Sequence, residues 1–494
     1  MSVISIDAGT TMIKVVGYGT EGHEDVVVRR PTEVLHPVAG RSEQDMDAVW
    51  DAVASAVTEV ARQLDGEVEA VAVTAQGDGV WLVDRSGRPT GTAVLWNDGR
   101  AASTISAWER GGQLDAAFAL NANLGSSGIA HAILTWFAEH DPARLEASDL
   151  SLTCGGWVHA CLTGLRVVDT SDASAPFLDL GSLTYSDELL RLFDLEWARR
   201  LLPPVVRDDD RSAPLAPDVA DRLGLPAGVP VVLAPYDIVA TALGSGAVET
   251  GRGCCILGTT LCTEVLVDEV PTSERPTGIT VASGLPGRWV RAFPTFAGGE
   301  VIRWACSLLG LDDPADLGAL ALEAPVGADG LVLLPYLSSA GERVPFQDAD
   351  ARGVLHGISF AHGPAHVARA VVEGLSLVVR DCLETCSTPV TDLRVCGGGA
   401  VNDVWTQTIA DVTGVRVTRT EDTEVGARGA YLVAARALGV TAPDVVLGRS
   451  FDPDPEAHAV YDGLYADLVG LREQAAPSWA LLGERRRHDE QVRA

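Results

Sequence analysis

The chain has 494 residues, of which 47% are hydrophobic, 37 are lysine or arginine and 68 are aspartate or glutamate, giving a formal net charge of −31. This length exceeds one ordinary hydrophobic core and predicts two large domains. The negative charge repels nucleic acid backbones and anionic lipid surfaces, so we expect neither nucleic acid nor membrane as a partner. No basic and apolar leader and no long apolar run occur, which predicts a cytoplasmic location. Nine cysteines without a CxxC pair indicate reduced, mostly buried thiols.

Strand and helix patterns alternate from the amino terminus onward. An apolar strand leads into the sequence Ile-Asp-Ala-Gly-Thr-Thr at residues 6–11, and a β-branched strand follows at residues 13–18. Valines at helical spacing predict a helix over residues 45–64, and an apolar, β-branched run predicts a strand over residues 68–74. This alternation predicts an α/β fold.

Two turns share the sequence Gly-Thr-Thr after an apolar strand: Gly9, Thr10 and Thr11 in the first, and Gly258, Thr259 and Thr260 in the second. Glycine lets the backbone approach a phosphate, and the hydroxyl and amide groups that follow can donate hydrogen bonds to it. Asp7 adds a carboxylate for a water-mediated Mg²⁺ ion, and Lys14 adds a cation for phosphate charge. A single turn of this kind is also typical of an ordinary hairpin. Its recurrence favours two phosphate-binding domains of one ancestral plan.

Three consecutive glycines, Gly397 to Gly399, stand between a strand at residues 393–395 and a helix that contains Trp405 and Ile409. A glycine-rich turn of this kind leaves amides free at the helix N-terminus and lets a flat ring or a phosphate press against the backbone. The spacing fits neither a dinucleotide-binding motif nor a P-loop. The turn therefore predicts a separate binding element in the second half of the chain.

Residues 353–358 and 366–373 resemble the C-terminal signature of the FGGY carbohydrate kinases, and the likeness extends over nearly the whole chain. The resemblance implies an α/β fold of two actin-like (ribonuclease H-like) ATPase domains around an interdomain cleft. It places the sugar- or polyol-binding N-terminal domain, with the first phosphate loop and the catalytic aspartate, at residues 1–246. The ATP-binding C-terminal domain then spans residues 247–450, and a helical tail spans residues 451–494.

The same resemblance assigns roles to the motifs, with ATP and Mg²⁺ as cofactors. The residues that it assigns to Mg-ATP are Asp7, Gly9, Thr10, Thr11 and Lys14 in the first turn, Gly258, Thr259 and Thr260 in the second, and Gly397, Gly398, Gly399 and Asn402 in an adenosine-binding turn. Asp237, which follows a predicted buried strand at residues 231–234, is assigned as the catalytic base. Alternatively, this aspartate only caps the helix that follows it.

The substrate residues implied by the resemblance follow two strands: Gln76, Asp78, Trp96, Asp98 and Arg100, together with Asp237. Their carboxylate and guanidinium groups can hydrogen-bond the hydroxyls of a polyol, and Trp81 or Trp96 can stack on its carbon chain. As an alternative, Asp98 and Arg100 form a surface salt bridge.

Two positions depart from the family pattern. Ile133 stands where the N-terminal signature has a lysine, and Ile238 stands where glycerol and xylulose kinases have glutamine or asparagine. Residues 76–79 instead resemble the subgroup that acts on erythritol or L-xylulose. The sequence therefore predicts an ATP-dependent kinase for a hydroxyl of a small sugar or polyol, such as erythritol or L-xylulose, in a possible homodimer. The alternatives are a catalytically silent nucleotide-binding sensor of the same fold and an ATPase that acts on a protein.

Overall fold

The structure is a computed structural model that describes residues 2–493. Met1 and Ala494 lie outside the described residues, as do the side chains at positions 208, 209 and 487–493. The predicted tail, residues 451–494, is described up to residue 493.

The strands run as follows in chain order: β1 Val3–Ala8, β2 Met12–Tyr18, β3 Glu24–Pro31, β4 Glu43–Gln44, β5 Ala70–Ala75, β6 Trp81–Val83, β7 Ala93–Val94, β8 Leu150–Leu152, β9 Val168–Asp169, β10 Leu178–Asp179, β11 Thr184–Tyr185, β12 Val205–Val206, β13 Ser212–Pro214, β14 Pro230–Leu233, β15 Arg252–Leu257, β16 Leu261–Val267, β17 Ile279–Ala282, β18 Trp289–Pro294, β19 Val332–Leu334, β20 Val354–His356, β21 Asp392–Cys396, β22 Val417–Thr420 and β23 Leu447–Phe451.

The helices run as follows: α1 Met46–Gln63, α2 Ala102–Gly111, α3 Gln113–Asn121, α4 Ala130–His140, α5 Pro142–Ala147, α6 Cys154–Thr163, α7 Thr170–Phe177, α8 Asp187–Leu192, α9 Pro217–Leu223, α10 Asp237–Gly244, α11 Gly299–Leu309, α12 Pro314–Ala321, α13 Pro364–Thr385, α14 Asp403–Thr413, α15 Val425–Ala437 and α16 Pro455–Arg493. Short 3₁₀ helices lie at Glu196–Leu201, Asp208–Arg211, Ala328–Gly330 and Gly398–Val401.

The chain folds into two compact units that are interleaved in sequence. The first unit contains residues 1–248, 267–291 and 422–445, and the second contains residues 249–266, 292–421 and 446–494. The predicted ranges 1–246, 247–450 and 451–494 were each continuous, so two later stretches pack with a different unit than those ranges imply. For residues 422–445 the reason is apolar burial, because α15 packs into one buried cluster with side chains of β1, β2, β5 and β14.

The sheet of the first unit has the strand order β13-β14-β5-β1-β2-β3. Strands β1 and β14 both pair in parallel with β5, which aligns Asp7 with Thr74 and Leu233 with Val73. The carboxyl ends of these three strands therefore lie at one edge of the sheet. Helix α1 covers one face, with the valines predicted to be in phase all buried, and Asp45 caps it by accepting a hydrogen bond from the Ala48 amide.

In the second unit, β16, β15, β21, β22 and β23 are neighbours in this order within one sheet. Strands β15 and β21 are parallel, with Ile256 opposite Cys396. The spacing of Trp304, Leu308 and Leu311 predicts a helix stripe that packs. This prediction is wrong for Trp304 and Leu308, which are 42% and 61% exposed, whereas Leu311 packs against the core of this unit just beyond the helix. Helix α11 buries a neighbouring face instead, which includes Ala305.

The prediction of reduced, mostly buried cysteines can be compared with the fold. None of the nine cysteines is in a disulfide, and eight of them are buried while Cys161 is half-buried. Within residues 2–493, no helix combines the length and apolar character needed to cross a lipid bilayer.

Candidate active site

The first Gly-Thr-Thr turn joins β1 to β2 in the first unit. A Cβ atom on Gly9 would lie 2.9 Å from the Met12 carbonyl oxygen, so the tight turn leaves no room for a side chain there. The antiparallel pairing of the two strands sets Asp7 opposite Lys14. The Lys14 Nζ donates to Asp7 Oδ2 at 3.2 Å. The predicted metal-binding carboxylate and the predicted phosphate cation are therefore direct neighbours.

A second carboxylate, which the sequence did not indicate, shares this lysine. Glu424 Oε2 lies 3.4 Å from Lys14 Nζ, and Arg29 Nη2 lies 2.5 Å from Glu424 Oε1. The negative charge of Asp7 raises the pKa of Lys14, burial opposes it, and Glu424 raises it further, so the ammonium group stays charged. Glu424 lies 410 residues from Lys14, immediately before α15. No motif marks it, and only the fold brings it to the turn.

Asp237 is the first residue of α10 and follows β14 and a short loop. Its side chain is half-buried, and its Oδ1 accepts a hydrogen bond from the Ile238 amide at 2.8 Å. Its Oδ2 makes no hydrogen bond with any residue that the structure describes. Tyr236, not Asp237, occupies the N-cap position. The carboxylate thus satisfies one amide of the helix start and keeps one oxygen for another partner.

Burial raises the pKa of Asp237 to about 7, and the negative charges of Asp7 and Asp78 act in the same direction. The Ile238 amide and the Lys14 charge oppose this rise and do not cancel it. The charges of Asp7, Asp78 and Lys14 therefore all act on Asp237, which follows β14 at the same edge of the sheet. A carboxylate with this pKa can exchange a proton at neutral pH.

The Thr10 side chain links the first turn to the predicted substrate segments. Its Oγ1 donates to Gln76 Oε1 at 2.8 Å and accepts from Trp96 Nε1 at 2.9 Å. Gln44, which the sequence did not indicate, donates to the Thr10 carbonyl oxygen at 2.7 Å and accepts from Gln76 Nε2 at 2.7 Å. The neighbouring Thr11 is exposed at the tip of the turn.

Asp98 and Arg100 form a buried ion pair, so the surface salt bridge considered from the sequence is wrong. Their side chains are 0% and 3% exposed, and Arg100 Nε donates to Asp98 Oδ1 at 2.8 Å. Asp98 Oδ2 accepts from the Ser42 amide at 2.7 Å, and Arg100 Nη2 also reaches Glu43. Both oxygens of Asp98 are therefore engaged inside the protein.

The remaining predicted substrate residues differ in burial. Trp81 is 1% exposed and belongs to the hydrophobic core, so the prediction that it stacks on a carbon chain is wrong. Trp96 is half-buried, and Asp78 adopts a left-handed backbone with φ of 55° in the turn after β5. Ile133, at the position of the family's lysine, is fully buried in α4.

The second Gly-Thr-Thr turn lies in the second unit, between β15 and β16. The Gly258 amide donates to the Thr260 carbonyl oxygen at 3.1 Å, which closes the turn. The Gly299 amide donates to the Gly258 carbonyl oxygen and the Glu300 amide to that of Thr259, at 2.9 and 3.1 Å. The turn is thereby held against the N-terminus of α11.

The Gly397–Gly399 turn lies next to this second turn, because it follows β21, the parallel neighbour of β15. Gly397 has a φ of +86°, and a Cβ atom on it would lie 2.9 Å from the Leu257 carbonyl oxygen, whereas Gly398 has no atom within 4 Å of that position. Asn402 caps α14, with Oδ1 accepting from the Val404 and Trp405 amides at 3.0 and 3.1 Å. The elements predicted to bind phosphate and adenosine thus share one end of this sheet.

Comparison with known proteins gives one consistent result. Models of the FGGY family of carbohydrate kinases match residues 2–244 for the N-terminal domain and residues 253–438 for the C-terminal domain. The chain is 31% identical to the erythritol kinase of Brucella abortus, with 97% of each chain covered. It is 30% identical to the xylulose kinase of Escherichia coli, with 97% of this chain and 100% of that protein covered.

The solved structure of ligand-bound xylulose kinase from Lactobacillus acidophilus has a TM-score of 0.91 at 22% identity, covering 97% of this chain and 99% of that one. This likeness shows the fold. The predicted α/β class and the resemblance to the FGGY kinases, including the erythritol kinases, are confirmed. The chain belongs to the FGGY family of carbohydrate kinases, enzymes that phosphorylate an alcohol group of a carbohydrate.

Proposed function

We propose that this kinase transfers phosphate from ATP to a hydroxyl of a short polyol such as erythritol or of a pentulose such as L-xylulose, with Asp237 as the general base. The observation that carries the proposal is the carboxylate of Asp237. It has one oxygen without a hydrogen-bond partner among the described residues, it has a pKa raised to about 7, and it is coupled to Asp7 and Lys14.

The raised pKa suits a general base at neutral pH. The transferred phosphoryl group leaves ATP through a loose transition state, so the protein mainly positions the reactants and accepts the proton of the attacking hydroxyl. Asp237 Oδ2 would take that proton, while the Ile238 amide holds Oδ1 at 2.8 Å and fixes the orientation of the carboxylate.

The two Gly-Thr-Thr turns would hold the phosphates of ATP, and the Gly397–Gly399 turn with Asn402 would take the adenosine. The side chains fit such a ligand, because Lys14 is a charged donor at the first turn and a small residue is required at Gly9 and at Gly397. Mg²⁺, when bound, neutralises phosphate charge, and Asp7 would hold it through water. Glu424 and Asp7 together keep the Lys14 ammonium group in place.

For the substrate, we propose that Gln76, Asp78 and Trp96 contact the carbon chain and its hydroxyls. Thr10 hydrogen-bonds both Gln76 and Trp96, so these side chains and the first phosphate turn would be ordered together. The buried ion pair of Asp98 and Arg100 would stabilise the segment that carries Trp96 without contacting the substrate. The choice of a four- or five-carbon substrate is supported by the names of the erythritol and xylulose kinases that the chain resembles.

An assay of ADP release with a panel of polyols and ketoses of three to six carbons tests the substrate class. We expect turnover that requires one four-carbon polyol or one pentulose and is low in its absence. ADP release that no member of the panel stimulates would favour the silent sensor instead, and stimulation by glycerol alone would contradict the substrate proposal.

The variant Asp237→Asn tests the assignment of the base. We expect kcat to fall by about 10²- to 10⁴-fold, the usual contribution of a general base, with ATP affinity unchanged. Asp218→Asn is the matched control, because Asp218 is also in the first turn of a helix but is exposed. Turnover of Asp237→Asn within a few-fold of the control would remove Asp237 from the mechanism.

A further inference from the structure

The first unit contains a cavity of about 310 Å³ next to the segment that presents Asp237. Pro235, two residues before Asp237, forms part of its wall, and Leu285, Leu432 and Val433 make much of the rest apolar. This volume lies at the lower end of the range of about 300–1,000 Å³ that small-molecule sites occupy. None of the predicted substrate or ATP residues lines it.

Arg211 presents a partly unsatisfied guanidinium group to this cavity. The side chain is only 7% exposed, and its Nη1 donates to the Leu233 carbonyl oxygen at 3.0 Å and lies 3.2 Å from Asp169 Oδ2. Its Nη2 has no hydrogen-bond partner in the described part of the chain. This atom lies 3.9 Å from the position that a Cβ atom on Gly284 would occupy, at the cavity wall.

Arg436 supplies a second positive charge at the same cavity. It lies exposed in the last turn of α15 and forms no ion pair with any residue that the structure describes. The residues that line the cavity include these two arginines and no aspartate or glutamate. In a chain with a net charge of −31, this cavity combines positive charge with apolar walls.

The ion pair between Arg211 and Asp169, followed by hydrogen bonds, connects Arg211 to the backbone beside Asp237. Asp169 Oδ1 accepts from the amide of Ser171 at 2.7 Å and from its hydroxyl at 2.5 Å. Ser171 Oγ in turn accepts from the Tyr236 amide at 3.0 Å. A ligand that draws the Arg211 guanidinium group toward the cavity would therefore act on the carboxylate that holds Ser171, and through it on the start of α10.

We propose that this cavity is an effector site for a small carboxylate with an apolar group. The carboxylate would bind Arg211 Nη2 and Arg436, because a guanidinium group matches the geometry of a carboxylate. The apolar group would lie against Pro235, Leu432 and Val433. This site shares no lining residue with the proposed substrate pocket. It would add a regulatory ligand to the kinase activity proposed above, on which its effector role rests.

Calorimetric titration of the full chain with hexanoate, and with 1-hexanol as the neutral counterpart, tests the binding site without ATP or polyol. We expect hexanoate to bind at least about tenfold more tightly than 1-hexanol, because a guanidinium group forms a stronger hydrogen bond with a carboxylate than with a neutral hydroxyl group. Arg436→Gln should weaken hexanoate binding by a similar factor. Arg62→Gln should not, and it is a matched control because Arg62 is also an exposed arginine in the last turn of a helix.

A second variant, Ala437→Phe, fills the cavity from its exposed side and should abolish binding of both compounds. Absence of hexanoate binding, equal affinity for 1-hexanol, or unchanged binding in Arg436→Gln and Ala437→Phe would overturn the site. These outcomes do not depend on the identity of the kinase substrate, so failure of the proposed function and failure of this site are distinguishable.

Turnover with the substrate found in the panel tests the coupling to Asp237. We expect hexanoate to change kcat in the wild type and not in Arg436→Gln, with KM for ATP and for the acceptor unaffected. Competition with ATP or with the acceptor would place hexanoate in the active site and overturn the effector role, as would a kcat that hexanoate leaves unchanged.

Discussion

The ionised form of Asp237 is less stable in the folded protein than in water, because the side chain is partly buried and lies near other negative charges. Burial and the negative charges of Asp7 and Asp78 raise its pKa from 3.8 to about 7, so the folded protein holds a proton on it that the unfolded chain releases. Between pH of about 4 and 7 the folded state therefore binds more protons than the unfolded state. The contribution of Asp237 to the free energy of unfolding therefore falls as the pH rises from about 4 to 7, and it stays low above pH 7.

Asp237→Asn should remove this pH dependence. We expect the variant to gain at least about 1 kcal/mol of unfolding free energy over the wild type at pH 8, and to lose this advantage near pH 4, where the carboxyl group is protonated in the folded protein. Urea denaturation at both pH values measures the effect. For catalysis the sign is opposite: kcat/KM of the wild type should fall as the pH drops below about 7, because the base is then protonated. A difference in stability that is equal at both pH values would contradict the assigned pKa.

Thr10 and Thr11 are adjacent in sequence and differ in what their hydroxyl groups do. Thr10→Ala removes the hydroxyl that donates to Gln76 Oε1 and accepts from Trp96 Nε1, so we expect a loss of about 1–3 kcal/mol of unfolding free energy. Thr11→Ala should change it by less than about 0.5 kcal/mol, because Thr11 is exposed. Chemical denaturation of both variants provides the comparison, and equal losses would mean that the hydrogen bonds of Thr10 contribute little.

At the scale of elements, the glycine turn after β21 offers a matched pair of substitutions. Gly397→Ala forces a side chain onto a φ of +86° and against the Leu257 carbonyl oxygen, so we expect a loss of about 1–3 kcal/mol of unfolding free energy. Gly398→Ala has open space around the added carbon and should fold normally. If adenosine lies on this turn, Gly398→Ala should still weaken ATP binding in a nucleotide titration. Normal ATP affinity in a well-folded Gly398→Ala would remove this turn from the ATP site.

The elements that the sequence predicted well are those whose pattern is local. The hairpin around Gly9, helix α1 and strand β5 follow from turn chemistry and from apolar periodicity, and the structure confirms them. Of the predicted stripe Trp304, Leu308 and Leu311, only Leu311 packs against the core. Periodicity alone does not say which side of a helix meets the core.

The residues of the candidate site also fall into those that a local motif identified and those that only tertiary packing brings together. Asp7, Lys14 and Asp237 stand in recognisable turns at strand ends, so a single sequence was enough to select them. Glu424 and Gln44 bear no motif, and their contacts with Lys14 and Thr10 join segments that lie far apart in the chain. Such contacts arise from tertiary packing, which local sequence does not encode. The predicted roles toward ATP and substrate remain predictions, as do the cytoplasmic location and the homodimer.

At the scale of the whole molecule, the interleaving of the two units was not predictable from composition or from a boundary near residue 246. It depends on α15, whose Ala427 and Ala430 pack with β1, β2, β5 and β14. A Cβ atom on Gly429 would lie 1.8 Å from the Ala240 carbonyl oxygen, so α10 and α15 meet backbone to backbone. The helix that begins at Asp237 is therefore positioned by a segment from the far end of the chain.

A fragment of residues 1–248 should not fold to a native state, because it lacks α15 and leaves the apolar face of its sheet uncovered. We expect it to bind the dye ANS strongly and to lack a cooperative thermal transition, in contrast to the full chain. Appending residues 267–291 and 422–445 through flexible linkers should restore cooperativity. A fragment 1–248 that unfolds cooperatively without dye binding would show that α15 is dispensable.

The contact between α10 and α15 also has a consequence for biosynthesis. Ribosomes add about 5–20 residues each second, so residues 1–248 emerge on the order of ten seconds before residues 422–445 that complete their unit. During that interval the nascent polypeptide exposes the valine- and alanine-rich apolar surface that α15 covers in the folded protein. Efficient production of this enzyme should accordingly depend on chaperones that bind the growing chain. It should also depend on the rate of translation, which sets the time between the synthesis of residues 1–248 and that of residues 422–445.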